Sequence, residues 1–405
     1  MNFPYYIGIH IYGFLISIAA LFNAKAKKRM LGQRQVFPLL EKALSKESKY
    51  IWFHAASLGE FEQGRPVMEA LRKEYHEYKI LLTFFSPSGY EVRKNYNGAD
   101  VVCYLPLDTP TNAKRFLDLV NPVKIIFIKY EFWPNLLNYC RKRKIPTYVI
   151  SATFRKSQLF FKWYGRNYAN ILKSFEKLFV QDEHSRILLD SINITNVEVT
   201  GDTRFDRVLE IAEKCEPIPV IESFKNNKKL IVVGSSWPKD EELIFQYLQQ
   251  NKDVKVIIAP HEIHEEHLLD IESKISVSTI RYSKADPEKL IEARCLLIDN
   301  IGMLSSIYQY GDIAYIGGGF GVGIHNVLEA AVFNIPVVFG SNYGKFKEAR
   351  DLILLGGGFS ISDNAELQST LDWMLLHKDA GKIAGNYVRQ KKGSTQKIIK
   401  GIFVK

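Results

Sequence analysis

The pattern of apolar and polar positions begins with one long uninterrupted stretch. From Phe3 to Phe22 there is no Asp, Glu, Lys or Arg. At about 1.5 Å per helical residue such a run reaches roughly 30 Å, the thickness of a bilayer core, so residues 1–24 are expected to form a membrane anchor. Lys25, Lys27, Lys28, Arg29 and Arg34 follow with no acid between them. Basic flanks stay on the cytoplasmic side, which places the body of the protein there. Pro4, His10, Ser17 and several tyrosines soften the run, so a helix lying in the interface is the alternative to one that spans. The charges sit behind the apolar run and not in front of it, unlike those of a cleaved signal peptide.

Beyond the basic collar the pattern changes to short apolar runs rich in Val, Ile and Phe, separated by polar stretches of helical period. Ile51–Ala55, Ile80–Phe85, Val101–Leu105, Val123–Ile128, Thr147–Ile150, Leu178–Val180 and Val197–Val199 form a first series. After Glu216-Pro217-Ile218-Pro219 a second begins with Leu230–Val233, Val254–Ile258, Val277–Ile280, Leu296–Ile298, Ile313–Ile316 and Val337–Phe339. This is the βα alternation of parallel sheets. It predicts two Rossmann-like α/β domains, over residues 25–215 and 216–405, with ligand loops at the carboxyl ends of the strands and a cleft between facing halves. The basic tail, with Arg389, Lys391, Lys392 and Lys397, reads as a solvated helical end.

Composition narrows the partners. The 405 residues are 46% hydrophobic and 24% charged, ordinary globular usage that argues against disorder and against a polytopic membrane protein. Fifty-four Lys and Arg against 44 Asp and Glu give a net charge of +10, which favours an anionic partner such as a phosphate, a nucleotide or an acidic lipid. No nucleic-acid-binding module accompanies that charge, so nucleic acid is not expected. The four cysteines stand far apart with no CxxC pair, consistent with a reducing compartment.

Candidate chemistry lies at the strand exits. His54-Ala55-Ala56-Ser57-Leu58-Gly59-Glu60 leaves the first strand with a glycine that permits close approach and a carboxylate in the opening turn of a helix. Glu60 is the candidate general base; the structural alternative is a capping box with Ser57. Lys129 and Glu131, in Lys129-Tyr130-Glu131-Phe132-Trp133-Pro134-Asn135, share one side of an extended chain. In the second series Ser235, Ser236 and His261 end strands. The loop Gly317-Gly318-Gly319-Phe320-Gly321-Val322-Gly323-Ile324-His325-Asn326 offers amides for an anion at a helix start. Glu329, four residues after His325, is expected on the same helical face, where it would hold ribose hydroxyls. Neither GxGxxG nor GxxxxGK[ST] is present, and His261-Glu262-Ile263-His264 does not satisfy HExxH, so NAD, ATP and zinc sites are not indicated. No cofactor and no metal is expected.

Taken in order, these motifs, with Thr200-Gly201-Asp202 and Phe346-Lys347 beyond Gly340, resemble the Kdo transferases, the 3-deoxy-D-manno-octulosonic acid transferases of lipopolysaccharide assembly. The resemblance implies the GT-B glycosyltransferase fold. It also implies inverting, metal-independent transfer of Kdo from CMP-Kdo to the lipid A precursor lipid IVA at the cytoplasmic face of the inner membrane. It carries the role of general base to Glu60. Ser57, Gly59, Lys129, Glu131 and Arg204 would serve the acceptor half, and Ser235, Ser236, His261, Gly318, Gly319, His325, Asn326 and Glu329 the donor nucleotide. Two cations of the family pattern are missing, since the chain has Pro260-His261-Glu262 and Ser151-Ala152-Thr153 at those places. Arg155, Arg204, Lys129 and Lys345 are the candidate replacements. The rival readings are another GT-B nucleotide-sugar enzyme, epimerases included, and a non-catalytic, membrane-tethered lipid or nucleotide binder.

Overall fold

Strands buried on both faces read as continuous apolar runs, and the computed structural model, which describes residues 3–404, turns each expected run into one. The first sheet contains β1 (Lys49–Ala55), β2 (Tyr78–Phe84), β3 (Val101–Tyr104), β4 (Lys124–Ile128), β5 (Thr147–Ala152), β6 (Lys177–Val180) and β7 (Val197–Val199). The second contains β8 (Lys229–Ser236), β9 (Val254–Pro260), β10 (Thr279–Arg281), β11 (Cys295–Leu297), β12 (Ile313–Ile316), β13 (Val337–Gly340) and β14 (Gly358–Ile361). The orders are β3-β2-β1-β4-β5-β6-β7 and β10-β11-β9-β8-β12-β13-β14, with parallel pairing throughout. β14 has no counterpart in the sequence pattern, because Gly358-Phe359-Ser360-Ile361 is too short and too glycine-flanked to register as an apolar run.

In both sheets the chain starts in the middle, fills one side and then returns to the other. The strand order therefore reverses between β1 and β4, and again between β8 and β12. A crevice opens at the carboxyl ends of such a strand pair because the helices that follow them lie on opposite faces. Both switch points receive the loops singled out above.

Two compact units result. The second runs from Arg207 to Lys392; the first comprises the chain up to Asp206 together with the segment from Gly393 onward. The expected division at 215/216 is thus corrected at both ends of the second unit. The tail is not a solvated helical end. The helix Ser394–Phe403 buries Ile398, Ile399 and Ile402 in the core beneath β1, β2 and β4. Asp206 ties its start by accepting the Gly393 and Thr395 amides at 2.5 and 2.6 Å. Its lysines lie on the opposite stripe of an amphipathic helix, so the charge count concealed the apolar face.

At the amino end the apolar run is broken. Helix α1 spans Phe3–Ala19, and Asn23 caps a second helix, α2 (Ala24–Ala43), by accepting the Lys25 and Ala26 amides. Seventeen residues reach about 26 Å, short of a bilayer core. No helix among the described residues is long and apolar enough to cross a membrane. The physical reason is local: Asn23 offers its side chain to the amides of a new helix and so ends the old one.

Candidate functional site at the two switch points

In the first unit, β1 leads into helix α3 (Leu58–Glu74), with Ser57 at the cap position and Glu60 in the first turn. The capping box does not form: Ser57 makes no side-chain bond to the helix amides. Its hydroxyl donates to the Glu60 carboxylate instead. Glu60 is turned to the exit of β4, where Lys129 Nζ lies 3.8 Å from Oε1. Lys129 itself has φ +65°, a left-handed conformation that costs a side-chain-bearing residue energy and recurs at functional sites. A Cβ added at Gly59 would meet nothing nearer than Ser57 Oγ at 3.9 Å, so no protein group requires that glycine. The close approach expected there is absent from this unit.

Glu131 is a perturbed carboxylate. Burial, followed by the charge of Glu60, pushes its pKa up to about 7, with Arg29 opposing the shift. Two acids near one switch point therefore differ in environment, as groups that exchange protons with substrate commonly do. Behind them His54 is fully buried and its pKa is lowered to about 3 by burial, so the ring is neutral. The Trp133 indole N–H donates to His54 Nε2 at 3.2 Å, which assigns the proton to Nδ1, 2.9 Å from Thr83 Oγ1. Trp133 thus owes its orientation to the core. The backbone and side-chain amides of Asn135, with the amide of Leu136, bind buried Asp108, whose carboxylate anchors the helix Pro134–Lys142 to the loop after β3.

Arg204 is gripped by Asp202, through its backbone amide at 2.9 Å and its guanidinium at 2.9 and 2.7 Å. Thr203 is bonded to the Gln63 carbonyl, which fixes this segment against α3 one turn beyond Glu60. Among the other candidate cations, Arg155 and Lys345 are exposed, and only Lys129 lies beside Glu60. Arg29, in the basic collar, is the cation the sequence did not single out. Its guanidinium lies 3.6 Å over the Phe85 ring, and Glu131 feels its charge.

The second unit repeats the device. Ser235, next to last in β8, has φ +53° and breaks the β8–β9 register between Gly234 and Ser236. Ser236 is buried and donates to Glu241 at 2.8 Å, and Glu241 in turn contacts His267 at 3.0 Å, so this hydroxyl is engaged internally. The three glycines at the exit of β12 are forced by backbone contacts. A Cβ on Gly317 would sit 2.2 Å from the Ser235 carbonyl oxygen, one on Gly318 2.4 Å from that of Gly323, and one on Gly319 2.5 Å from the Gly340 backbone.

The cradle these glycines build is partly filled by the protein. The Gly318 amide donates to Asp240 Oδ2 at 2.8 Å, and Asp240 also accepts the Tyr315 hydroxyl and the Trp237 amide. The expectation of an open ring of glycine amides is corrected on this point. A second correction concerns His325 and Glu329, which do not share a helical face. The helix spans only Leu328–Ala331, and Glu329 is held by Asn326 Nδ2 at 2.9 Å. His325 joins an aromatic group with His261, 4.5 Å away, and Trp237, which stacks on His261 at 4.8 Å and donates to His325 Nε2 at 3.4 Å. Burial, then the neighbouring His261, lowers the His325 pKa to about 4, so it offers a hydrogen bond and no charge. The sequence pattern does not single out Asp240 or Trp237.

Residues 28–207 match the family model of 3-deoxy-D-manno-octulosonic-acid transferase (kdotransferase). The chain is 28% identical over 359 residues to the 3-deoxy-D-manno-octulosonic acid transferase of Aquifex aeolicus, covering 86% of this chain and 93% of that one. Among solved structures it resembles UDP-GlcNAc 2-epimerase from Neisseria meningitidis bound to UDP-GlcNAc, with TM-score 0.60, 14% identity, and 87% and 99% coverage. It also resembles Acinetobacter baumannii MurG, with TM-score 0.55, 13% identity, and 87% and 99% coverage. At those identities the structures speak for the fold alone.

Proposed function

We propose that this chain, a member of the 3-deoxy-D-manno-octulosonic acid transferase family, transfers Kdo from CMP-Kdo to lipid IVA in lipopolysaccharide core assembly, with inversion. The observation that carries the mechanism is Glu60, turned to the β1/β4 switch point by the Ser57 hydroxyl and balanced by Lys129. Glu60 removes the proton from an acceptor sugar hydroxyl. That oxygen forms a bond to the anomeric carbon of Kdo while the bond from that carbon to the phosphate oxygen breaks, and CMP leaves with the electron pair. One carboxylate suffices for a single displacement. Glu131 contacts the acceptor sugar, and Trp133 supplies an apolar platform beside it.

On the donor side, the His325 Nδ1–H, left available because Nε2 accepts from Trp237, donates to the departing phosphate. Asn326 and Glu329 hold the ribose. Donors aimed at the atom where charge develops stabilise it more than they stabilise the ground state. The exposed apolar side chains Ile7, Ile11, Phe14, Leu15 and Ile18 of α1 and the basic residues that follow support a helix lying in the cytoplasmic leaflet of the inner membrane.

The test is mass spectrometry of lipid IVA incubated with the protein and freshly generated CMP-Kdo, with Glu60→Gln run beside the wild type. A Kdo mass increment that is lost in the variant is the expected result, and the number of increments counts the sugars added. No increment from folded wild-type protein, or an equal increment from Glu60→Gln, overturns the donor or the base respectively.

A further inference from the structure

Helix α1 carries its exposed apolar side chains Ile7, Ile11, Phe14, Leu15 and Ile18 on one face. Tyr5 and Tyr12, seven residues apart, share the opposite face, which lies against the exits of β2 and β3. The contact is close, since a Cβ on Gly13 would meet Leu107 at 2.6 Å. Each tyrosine reaches a residue that in turn holds the segment bearing Glu131 and Trp133.

The first route runs through Asp108, only 1% exposed in the loop after β3. The helix Pro134–Lys142 opens without a cap of its own. Trp133, at the cap position, makes no side-chain bond to it among the described residues, and Pro134 has no amide hydrogen. The amides of the second and third helical positions are those a cap side chain ordinarily satisfies. Here they belong to Asn135 and Leu136, and Asp108 accepts both, through Oδ2 and Oδ1 at 2.9 Å each. Its charge also suits the amino end of a helix. A third donor to that carboxylate is the Tyr5 hydroxyl, 2.8 Å from Oδ2. Asp108 thus sets where the helix begins, and α1 holds Asp108.

The second route is aromatic. The Tyr12 ring lies nearly parallel to that of Phe85, with centroids 6.5 Å apart. The Arg29 guanidinium bonds the Tyr12 hydroxyl and lies 3.6 Å from the Phe85 centroid, which ties the two rings together. Phe85 in turn packs on Trp133 at 4.7 Å. Both ties therefore converge on the stretch between Glu131 and Leu136.

We propose that Tyr5 and Asp108 are positioning residues for the acceptor: α1, seated through them and through Tyr12, fixes the loop that carries Glu131 and Trp133. The inference rests on the reading that these two side chains face the acceptor sugar. One 17-residue helix supplies both the apolar face suited to a leaflet and the face that holds the loop, so insertion of the first and order in the second are linked. Tyr5, Tyr12 and Asp108 all belong to the first unit. Loss of either tie is expected to weaken the acceptor and to spare the nucleotide donor.

The test uses the full chain labelled with fluorotryptophan, the Trp133 fluorine signal being identified by its absence from Trp133→Phe. Tyr5→Phe deletes one hydroxyl and Tyr12→Leu one ring contact, and each is expected to shift or broaden that signal before any substrate is added. Tyr6→Phe, whose ring contacts His10 within α1, is expected to leave it unmoved. In transfer assays Tyr5→Phe is expected to raise the KM for lipid IVA about threefold to tenfold, the scale of one hydrogen bond, with kcat and the KM for CMP-Kdo unchanged. Lost fold stability alone would lower the active fraction and hence kcat, and not the KM of one substrate. A Trp133 signal unmoved in both Tyr5→Phe and Tyr12→Leu, or moved equally by Tyr6→Phe, overturns the tie between α1 and the loop. A moved signal with an unchanged KM for lipid IVA overturns the positioning role, because the acceptor then does not depend on this loop. Since the signal needs no substrate, protein that shows the shift yet transfers no Kdo keeps the tie and loses the proposed activity.

Discussion

At the scale of single residues the first unit sets two carboxylates at one strand pair in different surroundings. Glu131 is held near neutrality by burial and by Glu60. An acid whose folded pKa exceeds its unfolded value binds more protons in the native state, so its contribution to stability declines as pH rises from about 4.5 to beyond 7. Glu131→Gln is therefore expected to raise the thermal midpoint relative to wild type increasingly across that range, and melting curves at pH 5 and pH 8 measure it. Glu60→Gln should lower the Glu131 pKa only partly, since burial is the larger cause, and carboxyl carbon NMR over a pH series reads the shift. Glycines give a sharper contrast. Gly319→Ala sets a Cβ 2.5 Å from the Gly340 backbone and should cost about 1–3 kcal/mol or more. Gly59→Ala meets nothing within 3.9 Å and gains helix propensity, so it should keep or slightly raise stability. Denaturation midpoints distinguish the two.

At the scale of elements, the helix Ser394–Phe403 shows how charge can mislead. Ile398, Ile399 and Ile402 fill the core of the first unit although the segment ends the chain. Ile399→Ala should cost about 2–5 kcal/mol, seen as a lower unfolding midpoint of that unit. Lys397→Ala on the same helix should change little, because an exposed lysine with no ion pair among the described residues contributes little. The apolar run at the other end misled in the opposite direction. Its composition met the requirement for a span, but Asn23 stopped the helix and left α1 with one exposed face and one facing α2.

At the scale of the whole molecule, the second unit is a continuous insertion between Asp206 and Gly393 of the first. Each unit has its own sheet and core. Two calorimetric transitions are expected. Cytidine monophosphate at about a hundred times its dissociation constant should raise the transition of the second unit by the equivalent of roughly 2.7 kcal/mol. The first transition should be little changed, and a single merged transition or an equal shift in both would contradict the assignment of the nucleotide to residues 207–392.

The apolar runs by themselves determined thirteen of the fourteen strands, their parallel character and the presence of two sheets. A strand covered on both faces has no choice but to be apolar throughout. The strand exits at Glu60, Lys129 and Gly317 were legible for the same reason, since ligand loops follow directly from where buried strands end. What a carboxylate or an amide does once there depends on neighbours far away in the chain. Only the tertiary structure decided that Asp240 occupies the Gly318 amide, that Glu329 answers to Asn326 and not to His325, and that Arg29 is buried with unmatched donors. Sequence pattern records burial along one element, while hydrogen-bond satisfaction and electrostatic environment are fixed by contacts between elements, and only packing brings those together.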